Sequence, residues 1–416
     1  MRLLARGLSA ALLLAPLALL PTAASAAGGP PLGPGPVAPP PGPTRTTPAP
    51  LVSATGTSVP DQYIVTLDKD VNLTGAARTL DIKPLFTYGK VMHGFAAVLT
   101  ASQLATVRNT PGVLAVEQNA QVTDFDRRIG GPRGGAGGAQ PRVTAASWGL
   151  DRIDQHNLPL DNQFSTLGHG AGATAYIVDT GIDYGHSEFG GRAVPGFDAI
   201  GDGRDGADCA GHGTHVAGTV GGATFGVAPQ ASLVSVRVLD CQGSGTLAGV
   251  IAGFDWVADN AKQPAVVNAS LGGGYSPALN AAADALADSG VLPVVAAGNS
   301  TEDACDVSPA SAGEALTVGA SNRTDQETSF SNYGSCLSMF APGQAIVSAK
   351  LGGGSIAMDG TSMASPHVAG AALLYKAAHP SATAADVRTW LDDNATENVL
   401  SGVQDSPNRL LFTGGL

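Results

Sequence analysis

Three short blocks of this 416-residue chain hold side chains able to carry nucleophilic chemistry: Val178-Asp179-Thr180-Gly181, Gly211-His212-Gly213-Thr214-His215-Val216-Ala217-Gly218 and Gly360-Thr361-Ser362-Met363-Ala364-Ser365-Pro366-His367-Val368-Ala369-Gly370. A serine hydroxyl is almost fully protonated at neutral pH, so Ser362 needs a base before it can attack a carbonyl. His212 can accept that proton and return it to a departing amine, while Asp179 holds the other ring nitrogen and stabilises the imidazolium. Each residue alone has an ordinary explanation. A serine before a helix is usually an N-cap, and an aspartate at a strand end is often a turn residue. Three multi-residue blocks together point to acyl transfer. His215 lies one helical turn from His212 and reads as a packed structural histidine, because the pair lacks the spacing and the glutamate of a zinc-hydrolase helix.

The apolar residues after Ser362 predict a buried helix from Ala364 through Ala378, with Pro366 in its first turn, where proline is tolerated. Its amino end then faces the reacting carbonyl, and its N–H groups and dipole favour the negative charge that develops there. Asn299, in Ala296-Ala297-Gly298-Asn299-Ser300, follows an apolar run and on its own reads as a turn residue.

In chain order the three residues run Asp, His, Ser, which differs from both the chymotrypsin and the α/β-hydrolase order. With their flanking motifs the blocks resemble the subtilisin superfamily of serine endopeptidases, and within it the proteinase K-like branch that includes aqualysin. The resemblance covers the chain from about Trp148 to Leu416, with a weaker match before it. It implies a subtilisin-like three-layer α/β domain with a mostly parallel sheet, no cofactor for the chemistry, and Asn299 as an oxyanion donor. Tyr63-Ile64-Val65 and Gly112-Val113-Leu114-Ala115-Val116-Glu117 are similar to the family's inhibitory prosegment. They imply a small α+β domain that serves as intramolecular chaperone and inhibitor until it is removed by self-cleavage.

Four cysteines allow three pairings. The resemblance to aqualysin-like enzymes implies Cys209 with Cys241 and Cys305 with Cys336. Asp151, Asp154, Gln155 and Asp161 resemble the amino-terminal calcium site of some proteinase K-like enzymes, which implies Ca2+ as a structural ion; the same residues also suit an acidic helix start. Asp202, Asp205 and Asp208 form a second acidic loop, open to calcium or to solvent. Ser338 stands where the family's best-known calcium site usually has an aspartate.

These groups need a scaffold, and the rest of the chain outlines one. Residues 1–26 carry a basic start, an apolar stretch and Ala24-Ser25-Ala26, the pattern of a signal peptide, so export is expected. Residues 27–58 read as a Pro/Gly-rich disordered spacer, 59–124 as the prosegment, 125–147 as a flexible processing linker and 148–416 as the peptidase domain. Within the prosegment, Asp61 to Leu67, Gly94 to Leu99 and Val113 to Glu117 read as strands, and Thr100-Ala101-Ser102-Gln103 as a capping box. Maturation is expected between about Val122 and Ser147. Further on, the runs Ala173 to Val178, Leu233 to Leu239, Ala265 to Val267, Val291 to Ala297 and Ala315 to Val318 are short and continuously apolar, as in strands covered on both faces. Helical patterns at Leu247 to Ala261 and Pro277 to Ser289 alternate with them. That alternation predicts a doubly wound sheet with its functional residues at the strand carboxyl ends.

Two small-residue segments, Gly243-Ser244-Gly245 and Ser270-Leu271-Gly272, can admit an extended peptide as an added strand. The pocket for the residue before the scissile bond then lies between the second segment and Ala297-Gly298. Its small uncharged walls suit apolar or aromatic side chains. A net charge of −12 disfavours nucleic acid and anionic membranes as partners. The expected partners are protein and peptide substrates and the chain's own prosegment, with the mature enzyme a monomer. Two other classes stay open at this point: an inactive binding homologue, and an esterase, although Gly-Thr-Ser-Met-Ala lacks the second glycine of Gly-x-Ser-x-Gly.

Overall fold

A computed structural model describes residues 47–125, 127–128 and 143–416. The expected signal peptide, residues 27–46 of the expected spacer and most of the expected processing linker lie outside the described residues. All described residues fall in one compact unit.

Among these residues, the larger sheet has nine strands. Its first seven run parallel in the spatial order Ala193–Asp198, Ser232–Arg237, Thr174–Asp179, Ala265–Ala269, Leu292–Ala296, Leu316–Ser321 and Met339–Pro342. Alternation explains why the apolar runs are continuous. Ala175 and Ile177 enter one core with helices His212–Gly221 and Thr361–Ala378, whereas Tyr176 and Val178 enter another with helices Leu247–Asn260 and Pro277–Asp288. Both faces are therefore buried, as in a three-layer α/β domain. The strand order reverses beside Thr174–Asp179, so Asp179 lies at the carboxyl end of the strand where a crevice opens.

The prosegment is a smaller sheet with spatial order Leu51–Val52, Val113–Thr123, Ser58–Leu67, Gly94–Val98 and Pro84–Tyr88. Helices Leu73–Thr79 and Ala101–Asn109 accompany it, the second opened by the Thr100/Gln103 capping box. Val65, Leu67, Phe95 and Ala97 form its own core. Two sequence expectations need correction here. The spacer is not irregular throughout residues 27–58, because Leu51–Val52 pairs in parallel with Val116–Glu117 and Ala49 is buried. The strand expected to stop at Glu117 continues to Thr123, because its second half pairs with the peptidase domain.

Candidate active site

The site is assembled from three segment ends. Asp179 terminates its strand, His212 begins a helix after Gly211, and Ser362 stands in the first turn of the long buried helix. His212 Nδ1 lies 2.8 Å from Asp179 Oδ1, and both side chains are fully buried. His215 is also buried, with Nε2 3.0 and 3.1 Å from the Ile346 and Ile356 carbonyls. Burial lowers it to about 3, so it stays neutral and structural.

The helix that carries Ser362 is clamped to the end of strand Ala265–Ala269. Ser270 Oγ donates to the Ser362 carbonyl at 2.9 Å, Asn268 Nδ2 donates to Ser270 Oγ, and Ser365 Oγ donates to Asn268 Oδ1. Asn299 is oriented in a similar way. Thr361 donates to Asn299 Oδ1 through both its backbone N–H and its hydroxyl, each at 2.9 Å. The amide nitrogen is thereby turned outward. Gly360 is required here: its φ is 151°, and a Cβ on it would lie 2.9 Å from Asn299 Nδ2.

The cleft holds the end of the prosegment strand. Gln121, Val122 and Thr123 pair antiparallel with Thr246, Gly245 and Ser244. Asp124 N–H extends this pairing by donating to the Gly243 carbonyl at 3.1 Å, and on the opposite side Thr123 and Gly272 exchange two backbone hydrogen bonds of 3.0 Å. The segment thus becomes the middle strand between the two small-residue segments. Asn299 Nδ2 donates to the Phe125 carbonyl at 2.6 Å, while Ser362 Oγ lies 2.8 Å from the Asp124 carbonyl and 3.2 Å from that of Ser270. The Phe125 ring packs on the cluster of Ala297, Ala304, Val307 and Ala310. A Cβ on Gly272 would meet that ring at 2.6 Å. Leu271 is fully buried in the core it shares with Leu247 and Leu279, and Gly298 turns at φ 109° with its carbonyl accepting from Asn332 N–H. Beyond the cleft, Arg127–Arg128 pairs with Met358 and Asp359.

The prosegment sheet docks on the two helices of the same face. Ile64, Tyr88 and Ala96 share a core with Leu247 and Ile251. Asp255 accepts N–H bonds from Gly89, Lys90 and Val91, and Glu117 accepts from Ser276 Oγ and Ala278 N–H at the start of helix Pro277–Asp288.

Disulfides join Cys209 to Cys241 and Cys305 to Cys336. The candidate calcium ligands lie on the short helix Trp148–Ile153 and the loop after it, where Asp151 accepts from Asp161 and Asn162 N–H and Asp154 from Ser165 N–H. Burial, with the repulsion of Asp161 and Asp151, raises Asp154 to about 6. Gln155 Nε2 instead donates to the carbonyls of Asn157 and Pro159. The oxygen donors suit a hard cation, yet among the described residues no three His, Cys, Asp or Glu side chains are arranged to hold a metal ion.

Several functional residues were not singled out from the sequence. Thr361 was visible inside the serine motif but had no assigned role. Asn332, whose Oδ1 accepts from Ser300 N–H, and Phe125, the residue seated in the pocket, carried no local signal.

A buried Asp–His pair, a serine at a helix start and an oriented amide donor thus occur on one doubly wound sheet, in the chain order Asp, His, Ser. The pattern of the Subtilase family matches residues 170–410 and that of peptidase inhibitor I9 matches residues 81–123. The chain belongs to the Subtilase family, the subtilisin-like serine proteases. It is 46% identical over 335 residues to the alkaline serine exoprotease A of Vibrio alginolyticus, a match spanning 80% of this chain and 61% of that protein. It is 48% identical over 329 residues to the extracellular serine proteinase of Thermus sp. (strain Rt41A), covering 78% of this chain and 77% of that one. With proteinase R of Parengyodontium album it shares 38% over 375 residues, covering 88% and 92%. The crystal structure of a cold adapted subtilisin-like serine proteinase superposes with a TM-score of 0.64 at 50% identity, covering 65% of this chain and 98% of that one. Among the described residues no helix is long and apolar enough to cross a membrane.

Proposed function

We propose that this chain is the precursor of a secreted serine endopeptidase and that residues 121–125 are its first substrate, cut between Phe125 and Asp126. The observation that carries this reading is the occupied cleft: a strand paired on both sides, an aromatic ring in the apolar pocket, and the Phe125 carbonyl on Asn299. Ser362 attacks that carbonyl while His212 takes its proton, and Asp179 holds the imidazolium. The oxyanion forms against Asn299 Nδ2 and the amino end of the Ser362 helix. His212 then protonates the Asp126 amine as it leaves, and water hydrolyses the Phe125 ester by the same steps in reverse.

The same pocket supports a preference for apolar and aromatic residues before the scissile bond. Export through residues 1–26 and action as a monomer on external proteins complete the proposal. A structural calcium ion at Asp151, Asp154, Gln155 and Asp161 also belongs to it, supported by the mutual repulsion that a divalent cation would relieve. Calcium then raises the Tm of wild type and not that of Asp154→Ala; equal Tm with calcium and with chelator removes the ion from the account.

The test of the catalytic reading compares wild type with Ser362→Ala by intact mass and casein hydrolysis. Wild type is expected to lose its prosegment and degrade casein, while turnover in the variant falls by about a million-fold, as in subtilisin itself. Equal trimming of both proteins with no casein hydrolysis by either would favour a non-catalytic binding role.

A further inference from the structure

The acidic loop before His212 has a use that neither calcium nor solvent explains. Asp202 pairs with the buried Arg237 at 2.6 Å, and Arg237 Nε donates to the Thr180 carbonyl at 3.2 Å. Asp205 is exposed. Asp208 is buried, and its carboxylate accepts from groups flanking two triad residues. Oδ1 accepts from Thr180 Oγ1, Ala210 N–H and Gly211 N–H, each at 2.9 Å. Oδ2 accepts from Thr214 N–H at 3.0 Å and from Thr214 Oγ1. Thr180 follows Asp179 directly, and its hydroxyl accepts from Gly213 N–H at 2.9 Å. Gly211, Gly213 and Thr214 surround His212.

We propose that Asp208 is a positioning residue, the joint through which the strand end carrying Asp179 and the helix start carrying His212 are held in one register. The reading rests on the triad assignment. The physical argument is geometric. The Asp179–His212 bond joins the ends of two different elements, and a carboxylate with several acceptor sites can bind both backbones at once. Its negative charge also lies where the His212–Gly221 helix presents free N–H groups. Without it, two hydroxyls and three N–H groups in a mostly buried setting lose their acceptor, and the two elements are free to shift. A displacement near 1 Å at a catalytic group costs about 100-fold in rate.

The experiment uses the full precursor, matured where it matures, with rates normalised to active sites titrated by a serine-directed organophosphate. Asp208→Ala is expected to lower kcat by about 30- to 100-fold with KM within about twofold. Asp208→Asn should fall between the two, because its remaining oxygen can keep the three Oδ1 bonds. Thr180→Ala should lower kcat by a few fold in the wild-type background and by less in the Asp208→Ala background, where only the Gly213 N–H bond to its hydroxyl is left to lose. A purely structural role would lower Tm while leaving kcat per titrated site within threefold of wild type, and that result overturns the proposal. Should Asp208→Ala fail to fold, Thr180→Ala and Asp208→Asn decide, and unchanged kcat in both overturns it equally. A wild type whose turnover is independent of Ser362 contradicts the triad assignment instead, so the two failures are distinguishable.

Discussion

The prosegment and the peptidase domain are both sheets carrying helices, but they complete their cores differently. The larger sheet sends Ala175 and Ile177 to one side and Tyr176 and Val178 to the other, and helices of its own domain cover both faces. The prosegment covers only one face with its own helices. Its other face, with Ile64, Tyr88 and Ala96, is buried against Leu247 and Ile251 of the enzyme. A sheet of this size with one face uncovered buries little apolar surface by itself. The prosegment is thus best understood as a ligand whose fold is finished by its receptor, and its last strand enters the cleft as an extension of that docking.

The comparison separates chemistry from docking, so substitutions in the two places should fail in different ways. Asn299→Ala should lower kcat by about 100- to 1,000-fold, the loss that removing this donor causes in subtilisin, while Tm changes little. Unchanged turnover in a folded variant would remove Asn299 from the oxyanion site. Gly272→Val should lower kcat/KM for peptides with Phe before the scissile bond by about 10- to 100-fold relative to Ala, because the new side chain occupies the ring's space. An unaltered Phe-to-Ala ratio in peptide assays would show that the ring binds elsewhere.

Asp255→Ala acts on docking alone. It takes the acceptor from Gly89, Lys90 and Val91 N–H and should weaken the cleaved prosegment's hold by about 10-fold. The lag before casein hydrolysis then shortens while the final kcat is unchanged. A longer lag or a lower kcat would place Asp255 in the enzyme's own stability.

The smallest effect is on acid stability. Burial lowers His215 to about 3 and His367 to about 4, below the 6.5 of an exposed imidazole. As pH falls below 6.5 the unfolded chain binds these protons first. The stability contributed by the neutral rings is complete above that pH and declines by up to about 1.4 kcal/mol per pH unit per histidine toward pH 4. Half-buried Glu327, raised by burial to about 7, acts in the opposite sense. Its folded form holds a proton that the unfolded chain has released, so it destabilises increasingly as pH rises from about 4.5 to 7. Denaturant titrations at pH 4.5, 6 and 8 should show His367→Gln losing less stability than wild type on acidification. Parallel curves would show that His367 does not control that decline.

The parts of the molecule legible in sequence are those whose environment is uniform. Five apolar runs read as strands because both faces of the sheet are buried, and the family was legible because the motifs around Asp179, His212 and Ser362 are local. The Leu51–Val52 strand was hidden in a Pro/Gly-rich stretch, since its order comes from pairing with Val116–Glu117. Helix Leu73–Thr79 gave no clear period because only Ala77 is buried. Asp202 and Asp208 looked alike in one acidic loop. What separates them is tertiary: Asp202 meets Arg237, a charge inside an apolar run, while Asp208 meets hydroxyls and amides from two other segments. Phe125 fell at the edge of a Gly-rich linker, and its position in the pocket depends on strand pairing set many residues away.

The central claim is that the prosegment strand lies in the cleft in a productive register. It is tested most directly by the mass of the prosegment fragment released in the first cleavage of wild-type precursor, with Ser362→Ala as the uncut control. The account predicts a fragment whose last residue is Phe125. A first fragment ending at any other residue, or one released equally from Ser362→Ala, would contradict it.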